Sequence, residues 1–323
     1  MGDWEGVRLH VVTGKGGTGK TTAASAVAIA LATGGRRVLV VEVEGRQGLA
    51  QAFDLAPLTY EERRIAAAPG GGEIYGLAVD AREAMHEYLA MFYRLGPAAR
   101  ALDRFGFIEF TTTIAPGLRD VLLTGKTYEA TRTNREGVVY DAVVLDAPPT
   151  GRITRFLDVN TSVTSLARVG PINRQANAIN ELFQSPRTVV HLVTLLEDMP
   201  VQETVDAING LRDVSIPVGA VLVNQETPEY LGAGHLAAAR SAGLDTEEIR
   251  RGLKDAGLPA DDAAVALLTR DARDHAHRVA REDAHRDTID ELGRPVYRLP
   301  RYHAGIDPAA LYELANELVE QGI

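Results

Sequence analysis

Residues 14–21 read Gly14-Lys15-Gly16-Gly17-Thr18-Gly19-Lys20-Thr21, "GKGGTGKT", and this stretch with its flanks decides the fold. It satisfies G-x-x-x-x-G-K-[ST], the phosphate-loop pattern. Before it, Val7 to Thr13 is a short run with β character. After it, Lys20 to Ala32 is an Ala-rich helical run stopped by Gly34-Gly35. Strand, glycine loop and helix in that order give the pattern its meaning. The glycines let backbone N–H groups curl around phosphate oxygens, and the helix N-terminus adds partial positive charge. In this reading Gly14, Gly16, Gly17, Thr18 and Gly19 form the cradle, with Thr22 in the same turn. Lys20 reaches the β- and γ-phosphates, and Thr21 places its hydroxyl on Mg²⁺.

A second strand follows at Val38 to Glu44, so strand, helix and strand form a right-handed βαβ unit of a parallel sheet. Glu73 to Asp80, Val138 to Asp146, Thr188 to Thr194, Val218 to Asn224 and Pro295 to Leu299 read as further strands. Pro69-Gly70-Gly71-Gly72 reads as a loop, and Arg36-Arg37 and Arg63-Arg64 read as loop charges. The implied fold is α/β: a doubly wound, mainly parallel sheet forming one domain over residues 1–323. Helical stretches at about 81–132 and 151–186 suggest a helical subdomain at one edge of the sheet. Arg240 to Leu292 reads as polar and helical, and no internal repeat is evident.

The chain has 323 residues, enough for a sizeable core. Its composition, 45% hydrophobic and 24% charged, argues against wholesale disorder. The net charge of −10, with no basic run, argues against a nucleic-acid partner. The absence of cysteine removes disulfides and thiolate metal sites, and fits a cytoplasmic location. No signal peptide and no apolar run long enough to span a membrane are expected.

Two acids, Glu42 and Glu44, close the apolar run Val38 to Val41. Carboxylates are costly at a buried strand end unless something pairs with them or uses them. Asp146 ends another apolar strand in "VVLDAPPTGR", Val143 to Arg152, where it can hold Mg²⁺ through water.

Lys15, directly after the first glycine, is not required by an ordinary phosphate loop. "KGGTGKTT" resembles the deviant Walker A loop of the ATPases that include MinD, ParA, nitrogenase iron protein and the arsenite pump. In that group the extra lysine crosses a dimer interface to the partner's nucleotide, so the resemblance implies a dimer with ATP between two chains. "APPTG" is similar to the switch II segment of the arsenite-pump and tail-anchored-protein-targeting (guided entry) ATPases. Three further stretches resemble that branch. "VLVNQ" places Asn224-Gln225 at the adenine-contacting asparagine, "APGLRD" matches a proline-glycine helix start, and "YRLPRYHAGID" puts Pro300 near the base. The resemblance spans nearly the whole chain and is strongest to actinobacterial "ion-transporting ATPase" members, which occur as two paralogues. The chain departs from the arsenite ATPases in having one unit and no cysteine for metalloid. It also lacks the Cys-x-x-Cys zinc clasp of the eukaryotic targeting factors.

The resemblance implies an ATP-binding and ATP-hydrolysing dimeric switch coupled to a hydrophobic client or membrane partner. Lys15 and Lys20 are its cations, Thr21 and Asp146 its Mg²⁺ residues, and Glu44 stands where the family's switch I aspartate positions water. A glutamate there is one methylene longer, and misplacement by 1 Å can cost on the order of a hundredfold in rate. Glu42, on the same strand face, should sit near Lys20 or Mg²⁺. Two alternatives stand beside this reading. One is a nucleotide-binding regulatory subunit of a heterodimer whose paralogue hydrolyses ATP; the other is a ParA/MinD-like positioning ATPase. Tyr88, Leu89, Met91, Phe92 and Tyr93, with Phe105, Phe107 and Phe110, form either a small helical core or an apolar client groove. His275, His277 and His285, interleaved with arginines, read as a solvated helix face rather than a metal site.

Overall fold

The computed structural model describes residues 4–93, 116–132, 139–159 and 171–323; side chains of residues 88–93, 116–118 and 171–172 are outside that description. The sheet has eight strands: β1 Leu9–Gly14, β2 Arg37–Glu42, β3 Arg63–Ala68, β4 Gly72–Ala78, β5 Ala142–Asp146, β6 Thr188–Thr194, β7 Val218–Glu226 and β8 Val296–Pro300. Their order is β3-β4-β2-β5-β1-β6-β7-β8. All neighbours are parallel except β3 and β4. The doubly wound, mainly parallel α/β sheet expected from the phosphate loop is the architecture.

Period-two alternation on each strand builds a core on both faces. Val38, Val40, Val144 and Leu222 join one cluster; Leu39, Val41, Val143, Leu145 and Val221 join the other. The first face is covered by α1 Lys20–Ala32 and α11 Pro308–Glu320, through Val27, Ile29, Leu311 and Leu318. Residues 23–32 of α1 are all buried, which suits a helix built mainly of alanine and small apolar residues. Between α1 and β4 runs the short α2 Gly48–Ala52.

The second face is covered by α3 Ala81–Tyr93, α4 Pro116–Ala130, α5 Thr150–Leu157, α6 Pro171–Phe183 and α7 Asp198–Asp213. Met85, Val121, Leu123, Ile153, Phe156, Ile179 and Phe183 pack there with Leu9 and Val11 of the sheet. The described parts of the two helical stretches thus form a layer on the sheet. The aromatic residues considered for a client groove lie outside the described residues or side chains. Pro116 opens α4, as its resemblance to a proline-glycine helix start implied.

Beyond β7 come α8 Ala233–Arg240, α9 Thr246–Asp255 and the 29-residue α10 Asp262–Asp290. Glu282 fixes α10 to the end of β7, accepting from the backbone N–H of Thr227 at 3.1 Å and its hydroxyl at 2.6 Å. Among the described residues no helix is long and apolar enough to cross a membrane.

Several expectations need correction. Arg63-Arg64 begin β3, a strand that pairs antiparallel to β4 at the sheet edge. An edge strand with one open side tolerates charges and small residues, so "RRIAAA" gives little alternation to read. Arg37 is the first residue of β2 and pairs with Glu73 of β4 at 2.8 Å. Strand β2 stops at Glu42, so Glu44 lies beyond it rather than on the same strand face. Strands β1, β4, β5, β7 and β8 differ from expectation by one to four residues at an end, as termini do where hydrogen-bond pairing, not composition, sets the limit.

Candidate active site

Parallel pairing sets β1 beside β5 and β2 beside β5, so the loops leaving β1, β2 and β5 meet at one end of the sheet. Ligands bind doubly wound sheets at the carboxyl ends of their strands. The phosphate loop runs from Gly14 to α1 at that end. Its glycines are required where the chain closes on itself. A Cβ on Gly14 would collide with the Val193 carbonyl of β6, and one on Gly19 with the Asn224 amide. Gly19 also has φ +84°, the left-handed region that disfavours other residues. Gly16 and Gly17 are exposed, and Thr18 is buried with its hydroxyl donating to the Lys15 carbonyl at 2.9 Å.

Asn224 donates its side-chain amide to the Thr18 carbonyl at 2.8 Å. It thus braces the loop from β7. The next residue, Gln225, is exposed with φ 55° and lines a cavity of about 320 Å³ with Leu195, Leu196, Arg281, His285 and Arg301. Pro300, the last residue of β8, pairs in register with Glu226 and precedes Arg301. The three residues the resemblance assigned to the base therefore cluster on the β7–β8 side of the loop. On α10, His285 faces Asp198 at 3.3 Å, and the His275 ring lies 5.5 Å from that of Tyr230.

On the other side, Thr21 donates its hydroxyl to Asp146 Oδ2 at 2.6 Å, tying the start of α1 to the end of β5. Asp146 is buried, and desolvation raises its pKa to about 6, with Glu42 and Glu44 adding repulsion and Thr21 and Lys20 opposing it. Burial lowers the Lys20 pKa from the usual lysine value, offset by Asp146 and Glu44. Lys20, Thr21, Asp146 and Glu44 therefore share one electrostatic site.

Glu42 stands in register with Asp146 on the neighbouring strand. Its Oε2 accepts the Leu49 backbone N–H at 3.0 Å, while its buried Oε1 has no partner. Glu42 thus anchors the segment after β2, with Asp146 as its charged neighbour. Gly48 presses the same segment against the Thr21 side chain. Gln47, at φ 57°, clamps it to Leu58 through both amide atoms, at 2.7 and 3.1 Å. Glu44 is 19% exposed and has Arg46 at 3.9 Å and Arg152 of α5 at 4.0 Å.

Lys15 forms an ion pair with Glu203 of α7. The other oxygen of Glu203 accepts the Thr150 hydroxyl at 2.8 Å. Lys15, with this hydrogen-bonded Thr150, holds the Glu203 carboxyl below the usual carboxylate range despite some desolvation. Thr13 of β1 donates to the Pro148 carbonyl at 2.6 Å, so the segment after β5 is tied to the phosphate loop as well. Sequence reading missed Glu203, Arg152 and the Leu49 contact of Glu42. "APPTGR" put Thr150 and Arg152 at the site in principle, but nothing local marks Glu203.

Mg²⁺ prefers a few carboxylate or hydroxyl ligands and keeps its remaining positions for water and phosphate. Thr21 beside a buried, charge-crowded Asp146 fits that demand. Among the described residues no group of three His, Cys, Asp or Glu side chains could hold a metal by itself.

A glycine-rich loop between β1 and α1, joined through Thr21 to an acid at the end of β5, defines a P-loop nucleotide-binding protein of the α/β class. The sequence model of the anion-transporting ATPase (ArsA) family matches residues 7–180. The chain belongs to that family. It is 50% identical over 320 residues to "ATPase BagA" of Mycobacterium tuberculosis, covering 98% of this chain and 94% of that protein. It is 27% identical to the "Arsenical pump-driving ATPase" of Acidiphilium multivorum over 67% of this chain and 39% of that protein. It is 24% identical to the "Putative arsenical pump-driving ATPase 2" of Aquifex aeolicus over 69% of this chain and 81% of that protein.

Proposed function

We propose that this chain is an ATPase switch: it binds ATP with Mg²⁺ between two P-loops, hydrolyses it, and couples nucleotide state to a hydrophobic client or membrane partner. The observation that carries the reading is the Thr21–Asp146 hydrogen bond beside Lys20, which joins the phosphate loop to a metal-site acid. In this assignment the loop N–H groups and Lys20 hold the phosphates. Asn224, Gln225 and Pro300 flank the base, and Thr21 and Asp146 hold Mg²⁺. The metal supplies charge neutralisation of the transferred phosphoryl group. Lys15 adds a cation to the partner's nucleotide, and Glu44 orients the attacking water. A partner chain of the same kind, identical or paralogous, completes the site.

A second reading is a nucleotide-binding subunit whose paralogue hydrolyses. One observation favours it: Glu44 has two guanidinium groups within 4.0 Å, which compete with a water for its carboxylate. Turnover of the pure chain, measured alone and with a paralogous subunit, separates the two. Mg²⁺-dependent phosphate release by the chain alone, reduced about a hundredfold or more by Lys20→Ala, supports the first. ATP binding without turnover until the paralogue is added supports the second. Absence of ATP–Mg²⁺ binding overturns both.

A further inference from the structure

Lys15 is the cation that separates this phosphate loop from the ordinary kind, yet here it is engaged. Its ammonium contacts a carboxylate from α7, the helix that follows β6, the strand next to β1 in the sheet. That same carboxylate accepts from Thr150, the first residue of α5 and part of the segment that leaves β5 after Asp146. Three elements around the phosphate site thus meet at one side chain.

We infer that Glu203 is a positioning residue: a counter-ion that holds Lys15 in reserve until nucleotide phosphate displaces it, with Thr150 on the same carboxylate linking that exchange to the segment after Asp146. The inference rests on the reading of the chain as a nucleotide-binding ATPase.

Magnitude supports a holding role rather than a permanent lock. The Lys15 and Glu203 side chains are 30% and 31% exposed. Pairs this accessible to water contribute little, equivalent to a shift of about two- to fivefold in an equilibrium. A triphosphate carries several charges against the one of Glu203, so it can take the ammonium over. A deeply buried bridge would instead resist exchange strongly, because a stranded partner is costly. The exchange also leaves Glu203 with a partner, since the Thr150 hydroxyl still donates to it. In the nucleotide-free chain the pair keeps a flexible lysine from sampling other anions near the loop.

The test is Glu203→Gln, which removes the charge but keeps an oxygen for the Thr150 hydroxyl. Amine-reactive labelling followed by peptide mass spectrometry reads Lys15 directly, with Lys126 and Lys254 as internal references. In nucleotide-free protein the variant should raise Lys15 labelling about two- to fivefold and leave Lys254 unchanged. It should tighten ATP–Mg²⁺ binding, or ATP-driven chain pairing, by a similar factor, and this gain should vanish in a Lys15→Met background. Unchanged Lys15 labelling overturns the inference. So does an equal gain in the Lys15→Met background, because the effect would then not pass through the lysine. If wild type binds no ATP, the proposed function fails by that observation, while the labelling result still decides whether Glu203 holds Lys15.

Discussion

Replacing Asp146 with asparagine should stabilise the nucleotide-free chain while abolishing its response to Mg²⁺. The magnitude follows from burial. The Asp146 carboxyl is raised from 3.8 to about 6, chiefly by desolvation. A raised acid binds its proton more tightly in the folded chain than in the unfolded one. Its ionised form therefore costs stability fully above the folded pKa, and the cost fades as pH falls toward the unfolded value. At about 1.4 kcal/mol per pKa unit, the cost at pH 7.5 is about 3 kcal/mol. Asparagine keeps an oxygen for the Thr21 hydroxyl and carries no charge, so it should recover most of that. With an unfolding entropy of about 2.1 cal/mol/K per residue, 3 kcal/mol corresponds to a rise of about 4 °C in Tm. The assay is thermal and urea unfolding in chelator, at pH 7.5 and pH 5. At pH 5 the advantage should shrink to about half, because Asp146 is then largely protonated in the folded chain. With ATP present, adding Mg²⁺ should stabilise wild type further and leave the variant unmoved. A variant less stable than wild type in chelator at pH 7.5 would refute the reasoning, as would an advantage that grows toward pH 5.

Three further outcomes follow from particular contacts. His10 and His191 are fully buried with ring nitrogens 3.1 Å apart, and burial lowers His10 to about 3. Below pH 6.5 the unfolded chain takes up a proton that folded His10 refuses, so stability is lost as pH falls from 6.5 toward 3. His10→Gln should flatten the unfolding free energy from urea titration against pH by about 1.4 kcal/mol per pH unit in that range; an unchanged slope would exclude His10 as the cause. Gly19→Ala should lower stability by about 1–3 kcal/mol, since φ +84° and the Asn224 amide both oppose a Cβ. Gly16→Ala, with open space around it, should stay within about 0.5 kcal/mol, and equal losses in the two variants would contradict the geometry. Gln47→Ala should release the segment between β2 and β4, seen as faster amide exchange at Leu49 and Leu58, because both amide atoms of Gln47 bind Leu58.

Much of the fold was readable because its signals are local. Val38 to Val41 and Val143 to Leu145 are unbroken apolar runs, as strands buried on both faces must be, and the glycine loop fixes the first strand-to-helix turn. Strand β3 was not readable: one side of it is open, so no hydrophobic alternation was required of Arg63 to Ala68. At the site, Lys20, Thr21 and Asp146 came from spacing and context, and the structure brings the three together. Glu42 was expected beside the metal. It does stand next to Asp146, but its one hydrogen bond goes to the Leu49 backbone, which only the turn after β2 could reveal. Glu203 is an ordinary-looking helical glutamate 188 residues from Lys15, and its meaning exists only once α5 and α7 pack together.

The central claim is that Gly14 to Thr21 and Asp146 form one ATP–Mg²⁺ site. Isothermal titration of the intact chain with a slowly hydrolysed ATP analogue, with and without Mg²⁺, tests it most directly. Wild type should show Mg²⁺-dependent binding that Lys20→Ala abolishes and Asp146→Asn renders insensitive to the metal. Binding of equal strength in wild type and Lys20→Ala would contradict it.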